Sequence, residues 1–180
     1  MTKKKPPAPA LGRIPTRLFY GNGATTLISS MIMQAQSNPY GKKALHNRFV
    51  LGYPLASWQR PLKWTDEQSE RFIQSVYAGI YLGQFIYNDS ITSAPHLDGL
   101  LIDGQQRLSA IERYLADDLA VTGADGKKYV WSALTSEEQA HFGRVGFGFQ
   151  IVQIKDEAEL KHLYNLLNFA GTPHTEDERA

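Results

Sequence analysis

Apolar residues in this chain come in short blocks, and their spacing alternates between a helical and a strand-like period. In TDEQSERFIQSVYAG, starting at Thr65, Phe72, Ile73, Val76 and Tyr77 form one stripe, which predicts a helix. Thr65 can cap that helix, Gln68 stands in the capping-box position and Gly79 marks its end. Leu108, Ile111, Tyr114 and Leu115 form a second stripe, and Leu160, Leu163, Leu166 and Leu167 a third within residues 156–169. Leu27, Ile28, Met31 and Ile32 predict a helix over Thr25–Gln36, and a short helix is expected within residues 134–142.

Apolar runs or alternation predict strands at residues 48–53, 84–87, 100–102 and 145–154. Residues 119–121 and 128–131 flank Asp125-Gly126, a hairpin signal. Residues 37–43 are turn-rich, and residues 54–63 and 88–95 read as loops. Helices and short strands are interspersed, so the expected architecture is α/β (α+β), one domain over residues 16–176 with a small mixed sheet and flanking helices. Residues 1–15 (MTKKKPPAPALGRIP) read as a disordered basic, Pro-rich arm, and residues 177–180 as a tail.

Composition narrows the function. The chain has 180 residues, 42% hydrophobic and 21% charged, with a net charge of +1. No global field therefore points to nucleic acid or to a membrane surface. There is no cysteine, which excludes disulfides and thiolate sites. No apolar run approaches the roughly 20 residues of a membrane span, and the N-terminus has no signal-peptide core, so a cytoplasmic location is the expectation. The five histidines (46, 96, 141, 162 and 174) lack metal-ligand spacing. There is no Walker-type phosphate loop, and GRVGFG (143–148) does not make a dinucleotide fingerprint.

The chemistry concentrates in LLIDGQQRLSAIERYL (100–115), a short strand that turns into a helix. The first N–H groups of a helix have no internal partner, and the helix dipole favours an anion there. Gly104 would let a ligand approach the backbone. Arg107, in the first turn, opposes the dipole but suits phosphate oxygens. Asp103 could cap the helix, hold Mg²⁺ or orient a water, and Gln105 and Gln106 offer donors and acceptors. The plainer alternative is an N-cap, a turn and three solvated side chains. A second polar stretch, SWQRPLKW (57–64), sets Gln59 and Arg60 between two tryptophans and suggests that both Gln-Arg pairs line one cleft.

QRPLKW (59–64), a helix, the glycine-bounded GIYLGQFI (79–86) and LIDGQQRLSAI (101–111) together resemble the DGQQR-motif family. That family includes the N-terminal domain of GmrSD-type type IV restriction enzymes and the SspE-type phage-defence proteins, within the ParB/sulfiredoxin-like superfamily. LYNLLN (163–168) and GTPHT (171–175) resemble its C-terminal element, and the likeness covers residues 45–176. The resemblance implies a ParB-like domain that binds and hydrolyses a nucleoside triphosphate with Mg²⁺, in phage defence, counter-defence or DNA processing. It places Gln59, Arg60, Gly104, Arg107 and Asn168 at the nucleotide phosphates. Asp103, Gln105, Gln106 and Arg107 would be the catalytic set, with Asp103 as the metal ligand. His174 is added as a phosphate contact because it follows Asn168 closely.

Three departures bear on function. The usual proline just before the first Gln-Arg pair is missing, Pro54 lying five residues before Gln59, and neither the nuclease-type domain nor the C-terminal helical region of larger members is recognised. The expectation is a stand-alone domain, with a non-catalytic nucleotide- or DNA-phosphate-binding module as the alternative, acting through a protein partner or as a homo-oligomer. Lys3, Lys4, Lys5, Arg13, Arg17, Lys42, Lys43 and Arg48 make the N-terminal quarter basic enough to touch a DNA backbone.

Overall fold

A computed structural model describes residues 22–37, 45–89 and 94–169. Four strands form the main sheet: β1 (Asn22–Leu27), β4 (Gln84–Asn88), β5 (Leu101–Asp103) and β8 (Gly146–Val152), in the order β1-β8-β4-β5. The β8–β4 pair is parallel, while β1–β8 and β4–β5 are antiparallel. Two small hairpins, β2 (Phe49–Val50) with β3 (Tyr53–Pro54) and β6 (Val121–Thr122) with β7 (Lys128–Tyr129), lie outside it. The helices are α1 (Ile28–Ser37), α2 (Asp66–Tyr77), α3 (Gln105–Leu115), α4 (Ser136–Gly143) and α5 (Glu157–Phe169). The mixed α/β architecture is the one expected.

Strand alternation divides the apolar side chains between two faces of the sheet. Phe85, Leu101 and Phe147 pack with residues of α1–α4, among them Ile28, Ile73, Leu108, Ile111 and Phe142. Ile86, Ile102 and Val152 pack instead with Leu160, Leu163 and Tyr164 of α5. The sheet is thus covered on both faces, the second by α5 together with Ala56, Leu97 and Ile154 of the connecting segments. The capping box expected from sequence, Thr65 with Gln68, opens α2, and a second one that the sequence reading does not single out, Thr135 with Glu138, opens α4.

Three local expectations change. Thr25, Thr26 and Leu27 are strand, with Thr25 opposite Gly148 and Thr26 opposite Phe147. Leu27 fits the helical stripe by spacing but is 45% exposed, so the stripe begins at Ile28. RFVLGY is a hairpin rather than one strand, because Leu51 and Gly52 both take positive φ (45° and 82°) and reverse the chain. The Leu51 N–H is held by the Glu112 carboxylate at 2.7 Å, which secures this strained turn to α3. Asn88, expected to start a loop, ends β4 fully buried. Its amide donates to the carbonyls of Leu97 and Ile154, and its Oδ1 accepts from the Ile154 N–H.

Candidate functional site

β5 delivers Asp103 to the edge of a cleft, Gly104 turns the chain at φ 99°, and α3 begins at Gln105. Gly104 caps the helix without a side chain, so Asp103 is not the cap. Its carboxylate pairs instead with Arg107 at 2.8 Å, one helical turn on. Arg107 also donates to the Leu82 carbonyl at 3.0 Å and lies over the Phe147 ring, 5.8 Å from its centre. A Cβ on Gly83 would stand 2.5 Å from the Arg107 Nη1, so a side chain there would push the guanidinium from its present position.

The Gln106 Oε1 accepts from the backbone N–H groups of Lys63 and Trp64 at 3.0 and 3.1 Å. This ties the QRPLKW stretch across the start of α3. The opposite wall comes from α5. Tyr164 meets Trp58 edge-on at 5.2 Å and its hydroxyl accepts from the Arg60 N–H at 3.4 Å, while Trp58 donates to Glu157 at 3.0 Å. Asn168 lines the mouth, its amide donating back to the Tyr164 carbonyl.

The resulting cleft holds about 190 Å³ and gathers Arg60, Asp103, Gly104, Gln105, Gln106 and Arg107, with Asn168 at its edge. Two of its groups point to a ligand. The Arg60 side chain is exposed and makes no hydrogen bond or ion pair among the described residues. Gln105 is only 9% exposed, yet its Nε2 has no partner among the described residues. A buried amide donor left unpaired is uncommon and normally finds an acceptor. Gln105 also reaches a neighbouring cavity lined by Arg48, Ser109 and Glu112. Burial raises the Glu112 carboxyl above the ordinary carboxylate range, and the Leu51 N–H partly offsets this.

One expected cleft residue stands elsewhere. Gln59 is 4% exposed and does not line the cleft. Its Oε1 accepts from the Ala56 N–H at 3.0 Å and its Nε2 donates to the Leu101 carbonyl at 2.6 Å, joining the loop to β5. Its polarity serves the backbone, which spacing alone does not reveal. Replacing Gln59 by alanine leaves both backbone groups buried and unpaired, and the expected loss is about 2–3 kcal/mol. Urea unfolding measures it. His174 lies outside the described residues, as do all the basic candidates for DNA contact except Arg48, which donates to the Gln59 carbonyl at 3.1 Å. Trp64 and Tyr164 also line the cleft: Trp64 stands in the SWQRPLKW stretch that points to the cleft from sequence, whereas no local pattern singles out Tyr164 as a site residue.

Among the described residues no group of three His, Asp or Glu side chains could hold a metal by itself, and no helix is long and apolar enough to cross a membrane.

A mixed α/β domain whose polar cleft sits at a strand-to-helix turn is therefore the class. The sequence model of one family, described as the N-terminal domain of the GmrSD restriction endonuclease, matches residues 43–178. The chain belongs to that restriction-related, phage-defence family. No curated protein and no solved structure shows a significant match to the chain.

Proposed function

We propose that the cleft binds the phosphate chain of a nucleoside triphosphate and supports its hydrolysis. The observation that carries this reading is the buried Gln105 Nε2, unpartnered among the described residues, at a helix N-terminus without a side-chain cap, in a residue that lines the same cleft as the free Arg60 guanidinium. The first-turn N–H groups of α3, the Gln105 amide and Arg60 all donate, which suits phosphate oxygens. Asp103 does not repel such a ligand because Arg107 balances it.

In hydrolysis a water oxygen bonds to the terminal phosphorus and the bond to the bridging oxygen breaks. The diphosphate leaves with that electron pair, and the water's proton passes to a phosphate oxygen or solvent. Most of the protein's contribution to such chemistry is positioning and charge stabilisation. Arg60 and the remaining N–H groups of Arg107 stabilise charge on the transferred group. Gln105 holds a phosphate oxygen or the attacking water, and Gln106 keeps the 63–64 backbone in place.

Among the described residues Asp103 is the only carboxylate lining the cleft, and its Oδ1 accepts no hydrogen bond from Arg107. This fits Mg²⁺ arriving with the nucleotide, held by phosphate oxygens, waters and Asp103, rather than a metal caged by protein. The ion would supply charge neutralisation on the phosphates. The same single carboxylate also favours a second reading, in which the cleft binds nucleotide as a switch without turnover, acting through a protein partner or a second copy. DNA phosphates are a further possible ligand of the same donors.

Arg60→Ala separates these readings from structural effects. Its guanidinium makes no hydrogen bond or ion pair among the described residues, so stability should change by less than about 0.5 kcal/mol. Nucleotide affinity should fall roughly tenfold or more, the loss of one charge-assisted contact. Thermal shift and phosphate release with each triphosphate and Mg²⁺ provide the test. A wild-type shift with release, both reduced in the variant, supports hydrolysis. A shift without release supports the switch. No shift with any triphosphate defeats both.

A further inference from the structure

A second cavity lies at the opposite end of α3, on a wall that the phosphate chemistry does not use. Gln105 and Tyr114 are nine residues apart on α3, about 13 Å along its axis. The cavity holds about 670 Å³, within the usual range for small-molecule sites. Tyr77 of α2, Tyr114 of α3, Val121 and Tyr129 of the β6–β7 hairpin and Leu134 give it a mostly carbon lining. Glu138 and His141 of α4 stand on its rim.

Its polar groups form a specific pair. The hydroxyls of Tyr77 and Tyr114 are 3.1 Å apart and share one hydrogen bond. Two phenols carry two protons and that bond uses one, so one O–H remains to donate. Both phenols stay protonated, since burial raises them and the Glu138 charge pushes in the same direction. The Glu138 Oε2 accepts from the Thr135 N–H and hydroxyl at the helix cap. Its Oε1 has no partner among the described residues and can accept. Glu138 is ionised at neutral pH, because those cap bonds lower its carboxyl below the usual range. Of the hairpin lysines, Lys128 pairs with Glu70 at 3.1 Å and Lys127 with Asp125 at 3.5 Å, so neither neutralises Glu138.

We propose that this cavity is a second binding site, for a flat heterocycle carrying an amino group beside a ring nitrogen. The ring nitrogen accepts the free phenol O–H of the Tyr77–Tyr114 pair, the amino group donates to the Glu138 carboxylate, and the ring lies against the tyrosine and aliphatic walls. Aminopurines and aminopyrimidines have this edge. The negative rim excludes flat anions. The site is independent of the phosphate reading, because it shares no residue with that cleft.

The test titrates the full chain with adenine, cytosine and benzoate, followed by calorimetry and by Trp131 fluorescence. Trp131 meets the Tyr114 ring edge-on at 5.8 Å, whereas Trp58 and Trp64 stand at the phosphate cleft. Adenine or cytosine should bind saturably while benzoate does not. Two variants locate the site. Ala78 is exposed and lines the cavity, so Ala78→Trp fills it from the surface and should abolish binding. Glu138→Gln keeps a cap carbonyl, since glutamine serves the capping box equally, and should weaken binding about tenfold. Thermal unfolding of both variants near the wild-type temperature shows that they fold. Benzoate binding as tightly as the amino heterocycles, binding unchanged in a folded Ala78→Trp or Glu138→Gln variant, or no binding of either amino heterocycle overturns the proposal.

Discussion

Arg107→Ala is expected to lower stability by about 2–4 kcal/mol and to reduce phosphate binding by more than tenfold. The stability loss follows from three contacts that end together: the Leu82 carbonyl, the Asp103 carboxylate and the Phe147 ring. The binding loss has a different cause. Without its partner, Asp103 places an unbalanced negative charge in the cleft, where it opposes any phosphate. The double variant Asp103→Asn/Arg107→Ala should therefore recover part of the binding but little of the stability. Arg107→Lys keeps the charge but not the fork that reaches Leu82 and Asp103 at once, and its stability should fall between the two. Urea unfolding and nucleotide titration of the three variants check this. If the double variant binds no better than Arg107→Ala, the charge argument fails.

Gly104→Ala should be still more damaging, by about 3 kcal/mol or more. A Cβ at this position would lie 2.5 Å from the Phe85 Cβ and 3.2 Å from its Cα, inside the core. The residue also takes φ 99°, a region in which an L side chain is strained. Strain and overpacking each cost of order 1–3 kcal/mol, and here they act at one atom. Phe85 is fully buried between Tyr53 and Phe147, so it has little room to retreat. Thermal unfolding of the variant measures the effect. A near-wild-type melting temperature would mean that the β5–α3 turn relaxes far more easily than its packing indicates.

The density of hydrogen-bonding groups in DGQQR now has a physical division. Asp103, Arg107 and Gln106 chiefly build the cleft: one pairs, one braces the chain before β4, and one ties down the 63–64 backbone. Gln105 and, from the facing loop, Arg60 are left to meet a ligand. This division was not legible in the sequence. The strand-turn-helix context was, because the apolar stripe of α3 and the apolar run of β5 have different periods on either side of Gly104. Family resemblance, with no local pattern to support it, is what points to Asn168, and that residue lines the mouth of the cleft.

Elsewhere the sequence misled where two periods overlap. Leu27 continues the α1 stripe yet belongs to the strand, since pairing along β8 outweighs helical propensity over three residues. The Leu51–Gly52 reversal was hidden because leucine is a poor indicator of positive φ, and its conformation depends on Glu112, 61 residues away. Gln59 is expected at the cleft from the two Gln-Arg pairs and from the family resemblance. Adjacent residues in a loop often point in opposite directions, and here only the second faces the ligand side.

The measurement that bears most directly on the account is the NMR signal of the Gln105 side-chain amide during titration with a Mg²⁺-nucleoside triphosphate. A phosphate cradle at the β5–α3 turn predicts that this signal shifts saturably, together with the backbone N–H groups of the first turn of α3 and the Arg60 side chain. A Gln105 amide that stays in place while the nucleotide binds, or signals that move only around Tyr114 and Glu138, would contradict it.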